Sequence, residues 1–376
     1  IKVGTENIAK DGIRIIASHI DSPRLDLKQL PLYESEGVAL GKTHYYGGLR
    51  KYQWAAMPLA LHGVVALKDG ATVQVKVGES EGDPVFYISD LLPHLAAKQN
   101  QKPLGNAIEG EQLNIWFGNI PYTAATEDDE KTVKNHVLHL LHDKYGITEA
   151  DFMSAELSMV PAFKAKDVGF DRALLGSYGH DDRVCAYPAW KACLDETSDR
   201  HTVMIVLADK EEIGSEGTTG MQSAIFTDLI DELAASFGVS SAAIRAHSKC
   251  LSADVTAAYD PNYPEVCEKN NSVFLSCGAG IMKFTGARGK SGSNDANAEF
   301  LAYLRNLFDE NGVVWQTGEL GKVDEGGGGT VAKFIAKFNI DTVDIGVPVI
   351  SMHSPWEVVS KADLYENYLA FKAFIK

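Results

Sequence analysis

Five short stretches of this 376-residue chain combine histidines and carboxylates in patterns that suit metal chemistry, and each follows an apolar run. His19-Ile-Asp21 comes after Ile13–Ala17. A His two residues before an Asp can bind a cation while the carboxylate orients the ring. Gly179-His-Asp181-Asp182-Arg183 opens a helical pattern, where acidic residues are also at home as caps and against the helix dipole. One of these two Asp residues could instead bridge a pair of cations, with Asp182 then a cap or neutralised by Arg183. Glu211-Glu212 follows the strongest apolar run, Val203–Ala208. Adjacent carboxylates repel, so a cation is expected nearby. One Glu could ligate it and the other act as general base on water. A solvated turn is the other reading, because glutamates favour surfaces. Asp254 closes Leu251-Ser-Ala-Asp254, and Met352-His353 follows Val343–Ile350. A single Asp or His at such a place is more often structural. As a set, two His and several carboxylates without Cys suit zinc, and equally cobalt or manganese. Two cations about 3.5–4 Å apart could hold both an attacking hydroxide and a polarised carbonyl.

Those residues need strands behind them. Val203–Ala208 is continuously apolar, as in a strand covered on both faces, and Val343–Ile350 is another such run, interrupted by Gly346 and Pro348. Helical stripes lie between and after them: Phe300, Leu301, Leu304, Leu307 and Phe308 within Ala298–Phe308, and Tyr365, Tyr368, Leu369 and Phe371 within Leu364–Ile375. Alternating strands and helices imply an α/β fold with a mainly parallel sheet flanked by helices. Ligands then bind beyond the carboxyl ends of the strands. From about Lys28 to Lys166 the pattern changes to short alternating runs such as Val73-Gln-Val-Lys-Val77, with one helical pattern at Thr132–Tyr145. The expected organisation is therefore a discontinuous domain, residues 1–27 and 167–376, interrupted by a β-rich insert, residues 28–166.

Composition removes several classes. The net charge of −16 disfavours nucleic-acid phosphates as partners. No stretch of about 18 apolar residues exists, so no membrane span is expected. The five cysteines contain no CxxC pair, which suits reduced thiols in a cytoplasmic protein. The absence of a Gly-x-Ser-x-Gly elbow removes the usual serine hydrolase arrangement. The chain opens at Ile1 without a Met, and the expectation is that its true N-terminus is missing.

In this order, His19-x-Asp21, Asp181 at a helix start, Glu211-Glu212, Asp254-Val255 and Met352-His353-Ser354 resemble the M18 family of metallo-aminopeptidases, best known for the aspartyl aminopeptidases. Ser18-His-Ile-Asp-Ser-Pro-Arg24, Ala253-Asp-Val255 and Ser351-Met-His-Ser354 look like that family's local signatures. The resemblance implies a phosphorylase/hydrolase-like, zinc exopeptidase fold whose insert is a dimerisation domain, with assembly of dimers into a dodecamer. It implies two divalent metal ions per subunit, with zinc expected and cobalt or manganese as the alternatives. His19 and Asp254 would bind one ion, Glu212 and His353 the other, and Asp181 both. Glu211 would be the general base for a metal-bridging hydroxide, Asp21 would support His19, and peptides would be the substrates. His94, or Lys98, lies in a stretch of the insert resembling one that reaches a neighbouring subunit's substrate.

Two Gly-rich loops carry further expectations. Asp324-Glu-Gly-Gly-Gly-Gly329-Thr330 is neither a Walker A loop nor a dinucleotide fingerprint. It is read as backbone close to the substrate, chiefly Gly327 and Gly328, with Thr330 as N-cap; a plain flexible turn is the alternative. Its acidic pair would favour a basic side chain, whereas Arg288 or Lys290 in Gly286–Asn294 would favour an acidic one. The rival functions are a two-metal deacylase or carboxypeptidase, and a non-catalytic self-assembling scaffold.

Overall fold

The structure is a computed structural model that describes residues 1–123 and 132–376. The chain divides into two units, one of residues 1–22, 165–352 and 356–376, the other of residues 23–164 and 353–355. The first break therefore comes earlier than the expected residue 27, because a strand of the second unit already begins at Arg24. Residues 353–355 also group differently from expectation, since His353 Nδ1 lies 2.7 Å from the Gly48 carbonyl oxygen.

The first unit opens with α1 (Ile8–Asp11) and β1 (Ile13–His19). The second unit follows with β2 (Arg24–Ser35), β3 (Val38–Tyr46), β4 (Leu59–Ala66), β5 (Thr72–Val77), β6 (Ile115–Gly118), α2 (Val133–Tyr145) and β7 (Ala155–Pro161). Its strands form one sheet in the order β5-β4-β7-β2-β3-β6, antiparallel throughout. In β5 the buried Val75 and Val77 alternate with exposed Gln74 and Lys76, as the period-2 pattern predicts for a sheet with one wet face. β2 and β3 are joined through Glu36 and Gly37, both at positive φ (48° and 73°), the geometry that matches strand twist in a two-residue hairpin. Thr132 caps α2 by accepting the Asn135 N–H.

Back in the first unit come β8 (Lys166–Val168), β9 (Leu174–Ser177), α3 (His180–Asp195), β10 (Thr202–Ala208), α4 (Ile225–Phe237), α5 (Ser241–His247), β11 (Lys249–Ala253) and β12 (Thr256–Ala257). They are followed by β13 (Ala279–Met282), α6 (Ala298–Glu310), β14 (Trp315–Thr317), α7 (Ala332–Ala336), β15 (Asp341–Gly346), β16 (Pro348–Ile350), β17 (Glu357–Ser360) and α8 (Lys361–Ile375). The larger sheet runs β10-β1-β11-β15-β13-β14. Its first four strands are parallel, and β13 joins β15 antiparallel. A second sheet, β12-β16-β17-β9-β8, is antiparallel except for β12 and β16. The expectation of a mainly parallel sheet thus describes four strands of a mixed parallel and antiparallel fold.

Helices cover both faces of the larger sheet. Ile16, Leu251 and Ile345 pack with Val184 of α3, Phe300 of α6 and Phe371 of α8. Ile13, Ile15 and Cys250 pack with Ile230 of α4, Ile244 of α5 and Ile335 of α7. In α6 the expected stripe holds, with Phe300, Leu304 and Phe308 buried. In α8 it is rotated: Tyr365 is exposed, and Asp363 and Asn367 share the buried face with Phe371 and Phe374. The cause is Asp363, whose carboxylate accepts the Ser276 and Gly278 N–H groups, each at 2.7 Å. The run Val343–Ile350 is also divided, into β15 and β16 of different sheets. Among the described residues no helix is long and apolar enough to cross a membrane.

Candidate metal centre

β1, β10 and β11 are parallel neighbours, so the residues just past their carboxyl ends come together. His19 pairs in register with Ala208, which brings the turn Asp209–Glu212 beside it. That turn is tight, with Lys210 at φ 63° and Gly214 at φ 108° flanking Glu211–Ile213. Asp254 follows the last residue of β11, and Asp181 enters from the start of α3.

His19 is 2% exposed. Its Nε2 lies 3.1 Å from Asp181 Oδ1 and 3.7 Å from Asp254 Oδ1. Ligand atoms of His19, Asp181 and Asp254 all fall within 4.8 Å of one another, and an oxygen of Glu212 is that close to one of Asp181. The other ring nitrogen, Nδ1, sits 3.3 Å from Asp21 Oδ1 and 3.0 Å from the Asp21 carbonyl. Asp21 does a second job: its two carboxylate oxygens accept the N–H groups of Glu211 and Glu212, at 3.1 and 3.2 Å. One buried carboxylate therefore holds both the ring and the turn.

Crowding of like charge governs the electrostatics. Burial alone would lower the His19 pKa, but Asp181, Asp21 and Asp254 outweigh it and hold the ring well above its ordinary value. Burial, then the charge of Asp254, pushes the Glu211 carboxyl up to about 7. The same two causes raise Asp182 well above the carboxylate range. A divalent cation would relieve this repulsion, and the one-nitrogen, several-oxygen donor set suits zinc, cobalt or manganese. The residues present fit such a group.

Asp182 corrects one expectation. It neither caps α3 nor meets Arg183, which is exposed. Its Oδ2 accepts the Ser18 hydroxyl and, at 3.3 Å, the His19 N–H. The Asp181–Asp182 peptide bond is cis. The sequence reading missed Ser18, Ser22 and Glu357: the Ser22 hydroxyl donates to the Asp181 carbonyl at 2.6 Å, and Glu357 accepts the Asp181 N–H at 3.1 Å. The serines flank His19 and Asp21 directly, which was the available signal; for Glu357 there was none.

His353 occupies a positive-φ turn (64°), and its Nδ1 donates to the Gly48 carbonyl at 2.7 Å, the tautomer in which Nε2 carries the lone pair that a metal ion could take. His94 and Lys98 are exposed on the second unit. Gly327 is packed: a Cβ there would lie 2.4 Å from Ala287 Cα, so close loop contact demands glycine. The Gly328 N–H donates to the Thr285 carbonyl at 3.0 Å. Thr330 does not cap α7, because its hydroxyl donates to the buried Asp344 at 2.7 Å. The two Gly-rich loops share a cavity of about 250 Å³ lined by Arg288, Lys290, Glu319 and Lys322, while Asp324 and Glu325 are exposed outside its lining.

A family model described as aminopeptidase I zinc metalloprotease (M18) matches residues 1–375. The chain is 50% identical over 368 residues to the "Probable M18 family aminopeptidase 1" of Clostridium acetobutylicum, covering 97% of this chain and 79% of that protein. It is similar to the solved structure of an M18 family aminopeptidase from Thermotoga maritima, with a TM-score of 0.94 and 43% identity over 98% of this chain and 82% of that one. The structure of aminopeptidase I from Clostridium acetobutylicum matches with a TM-score of 0.94 and 47% identity over 100% and 81%.

Proposed function

The chain belongs to the M18 family of zinc aminopeptidases, and from that premise we propose that it removes N-terminal residues from peptides with a two-metal centre. The observation that carries this reading is the buried convergence of His19, Asp181 and Asp254, with the Glu211-Glu212 turn tied to it through Asp21. In this reading His19 and Asp254 hold one ion, Glu212 and His353 the other, and Asp181 both. Zinc is the proposed metal, with cobalt and manganese the alternatives. When bound, such ions polarise the scissile carbonyl and acidify water.

The chain's own residues supply the proton traffic. Glu211 takes the proton of the attacking water and passes it to the leaving amine. Its carboxyl stands at about 7 with no cation present, and a bound cation would draw it lower and so leave it ionised at neutral pH. Asp21 keeps Glu211 and Glu212 at fixed distance from His19, which limits the reorganisation needed on reaction. The surplus of carboxylates around the centre recognises the free α-amine of the substrate, which makes the enzyme an exopeptidase. His94, Gly327 and Gly328 are proposed to border the substrate.

The proposed architecture is a phosphorylase/hydrolase-like catalytic domain, built from the first unit, with the second unit inserted for dimerisation in place of the expected bounds of residues 28–166. Dimers would build a homo-oligomer, up to a dodecamer. Support comes from an apolar hollow of about 500 Å³ in the second unit, lined by Leu61, Val77, Phe86, Phe117, Val137 and Leu140. A cytoplasmic location fits five cysteines that are all free.

The test is hydrolysis of aminoacyl-p-nitroanilides and their N-acetylated counterparts, with and without chelator, by the parent and Glu211→Gln. Chelator-sensitive cleavage of only the free-amine compounds is expected. Glu211→Gln should keep its metal and lose about 10²–10⁴-fold in turnover, the usual worth of a general base. Cleavage of the acetylated compounds would point to a deacylase, and no cleavage with added zinc, cobalt or manganese to a scaffold.

A further inference from the structure

We propose that Glu357 and Ser22 are positioning residues that clamp the backbone of Asp181 and so aim its carboxylate at the metal centre. The inference rests on the reading of Asp181 as the shared ligand. Asp181 stands at the start of α3 but has non-helical dihedrals (φ −76°, ψ 108°). Helix starts leave N–H groups without helical partners, and these must be satisfied from elsewhere. Here the N–H of Asp181 donates to Glu357 Oε2 at 3.1 Å, and the carbonyl accepts the Ser22 hydroxyl at 2.6 Å. Both polar groups of the residue are thereby held by side chains from two distant segments.

The placement of Glu357 adds to the argument. It is 1% exposed, and Ser22 is 2% exposed. Burying a carboxylate is unfavourable unless hydrogen bonds compensate it. Glu357 begins β17 and pairs in register with Ser177, the last residue of β9 and only four positions before Asp181. The backbone of Glu357 thus fixes the strand that leads to Asp181, while its side chain grips the residue itself. Ser22 follows directly on Asp21, so the segment that holds His19 also holds Asp181. With its peptide groups fixed, Asp181 retains only side-chain torsions, and its Oδ1 reaches His19 Nε2 at 3.1 Å.

The test is zinc affinity, measured by competition with a chromogenic chelator, for the full-length parent, Glu357→Ala, Glu357→Gln and Ser22→Ala. The melting of each metal-free protein is recorded alongside. Glu357→Ala and Ser22→Ala should bind zinc about 10–100-fold more weakly, as is usual when partners of metal ligands are removed. Glu357→Gln, whose amide oxygen can accept the same N–H, should bind close to the parent. Should Glu357→Ala fail to fold, Ser22→Ala carries the test, since it deletes one oxygen. Parent-like affinity in the folded alanine variants overturns the clamp, and so does a glutamine variant as weak as the alanine one. Absence of zinc binding by the parent would instead sink the metal-centre reading itself.

Discussion

Asp344 shows how a single buried charge is tolerated away from the metal centre. It lies on β15 opposite Ser252 of β11, fully buried, and accepts the Thr330 hydroxyl. Burial pushes its carboxyl up to about 7; the Thr330 and Ser252 hydroxyls oppose the rise and the charge of Asp254 adds to it. The folded value is above the unfolded one of 3.8. The neutral form is therefore favoured by folding, and its stabilising effect is complete below about pH 4 and lost as pH rises through about 7. Asp344→Asn keeps an oxygen for Thr330 but does not ionise. In metal-free protein it should match the parent near pH 4 and exceed it at pH 8.5 by a few kcal/mol, at about 1.4 kcal/mol per pKa unit. Urea unfolding across that pH range checks this, and parallel curves for the two proteins would refute it. Asp21 was legible at this scale because its spacing from His19 suggests support. That it also accepts two N–H groups of the Glu211-Glu212 turn was not, because 190 residues separate Asp21 from Glu211.

At the level of elements, the proposed metal ligands stand where strands stop, and one glycine governs such a place. β11 and β15 run parallel, then pass into β12 and β16 of the second sheet, and the Asp254 N–H still donates to the Ile345 carbonyl at 3.2 Å. At that crossing a Cβ on Gly346 would lie 1.6 Å from the Asp254 carbonyl oxygen, so the strands approach this closely only with glycine. Gly346→Ala must part them. It should lower stability by about 1–3 kcal/mol or more, the typical cost of overpacking, and weaken binding of the ion assigned to Asp254. Equilibrium unfolding and metal content measure both; a variant within about 0.5 kcal/mol of the parent, the range of a harmless substitution, would show that the crossing can relax. The glycine and proline in Val343–Ile350 signalled an interruption. The change of sheet was hidden, because apolar residues are buried equally well in either.

For the whole molecule, metal and folding should be coupled. The centre gathers buried Asp21, Asp181, Asp182 and Asp254 around a His19 whose raised pKa places a proton where the proposed cation would bind. A ligand bound only by the folded state stabilises it by about 2.7 kcal/mol at a hundredfold excess over its dissociation constant. Chelation should therefore lower the melting temperature, and added zinc should restore it. Because the ion must displace the His19 proton, binding should release protons and weaken on acidification. Calorimetry in two buffers of different ionisation enthalpy would detect the release; identical heats would contradict it.

The sequence by itself determined what depends on residue type and local period. The apolar runs of β1, β10 and β15 reveal strands covered on both faces, the alternating valines of β5 an antiparallel sheet, and the ordered His and carboxylate motifs a family. Physical necessity makes these local: a strand covered on both faces is mainly apolar, and a zinc-type site without thiolates draws on His and carboxylates. What required the folded chain depends on encounters between distant segments. Asp363 rotated the buried face of α8, because two loop N–H groups needed an acceptor. Thr330 turned from helix cap to partner of Asp344, and Asp182 became the brace of His19. Glu357 gained a role only when β17 was laid beside β9. A hydrogen bond is decided by distance in space, and no residue type carries that distance in advance.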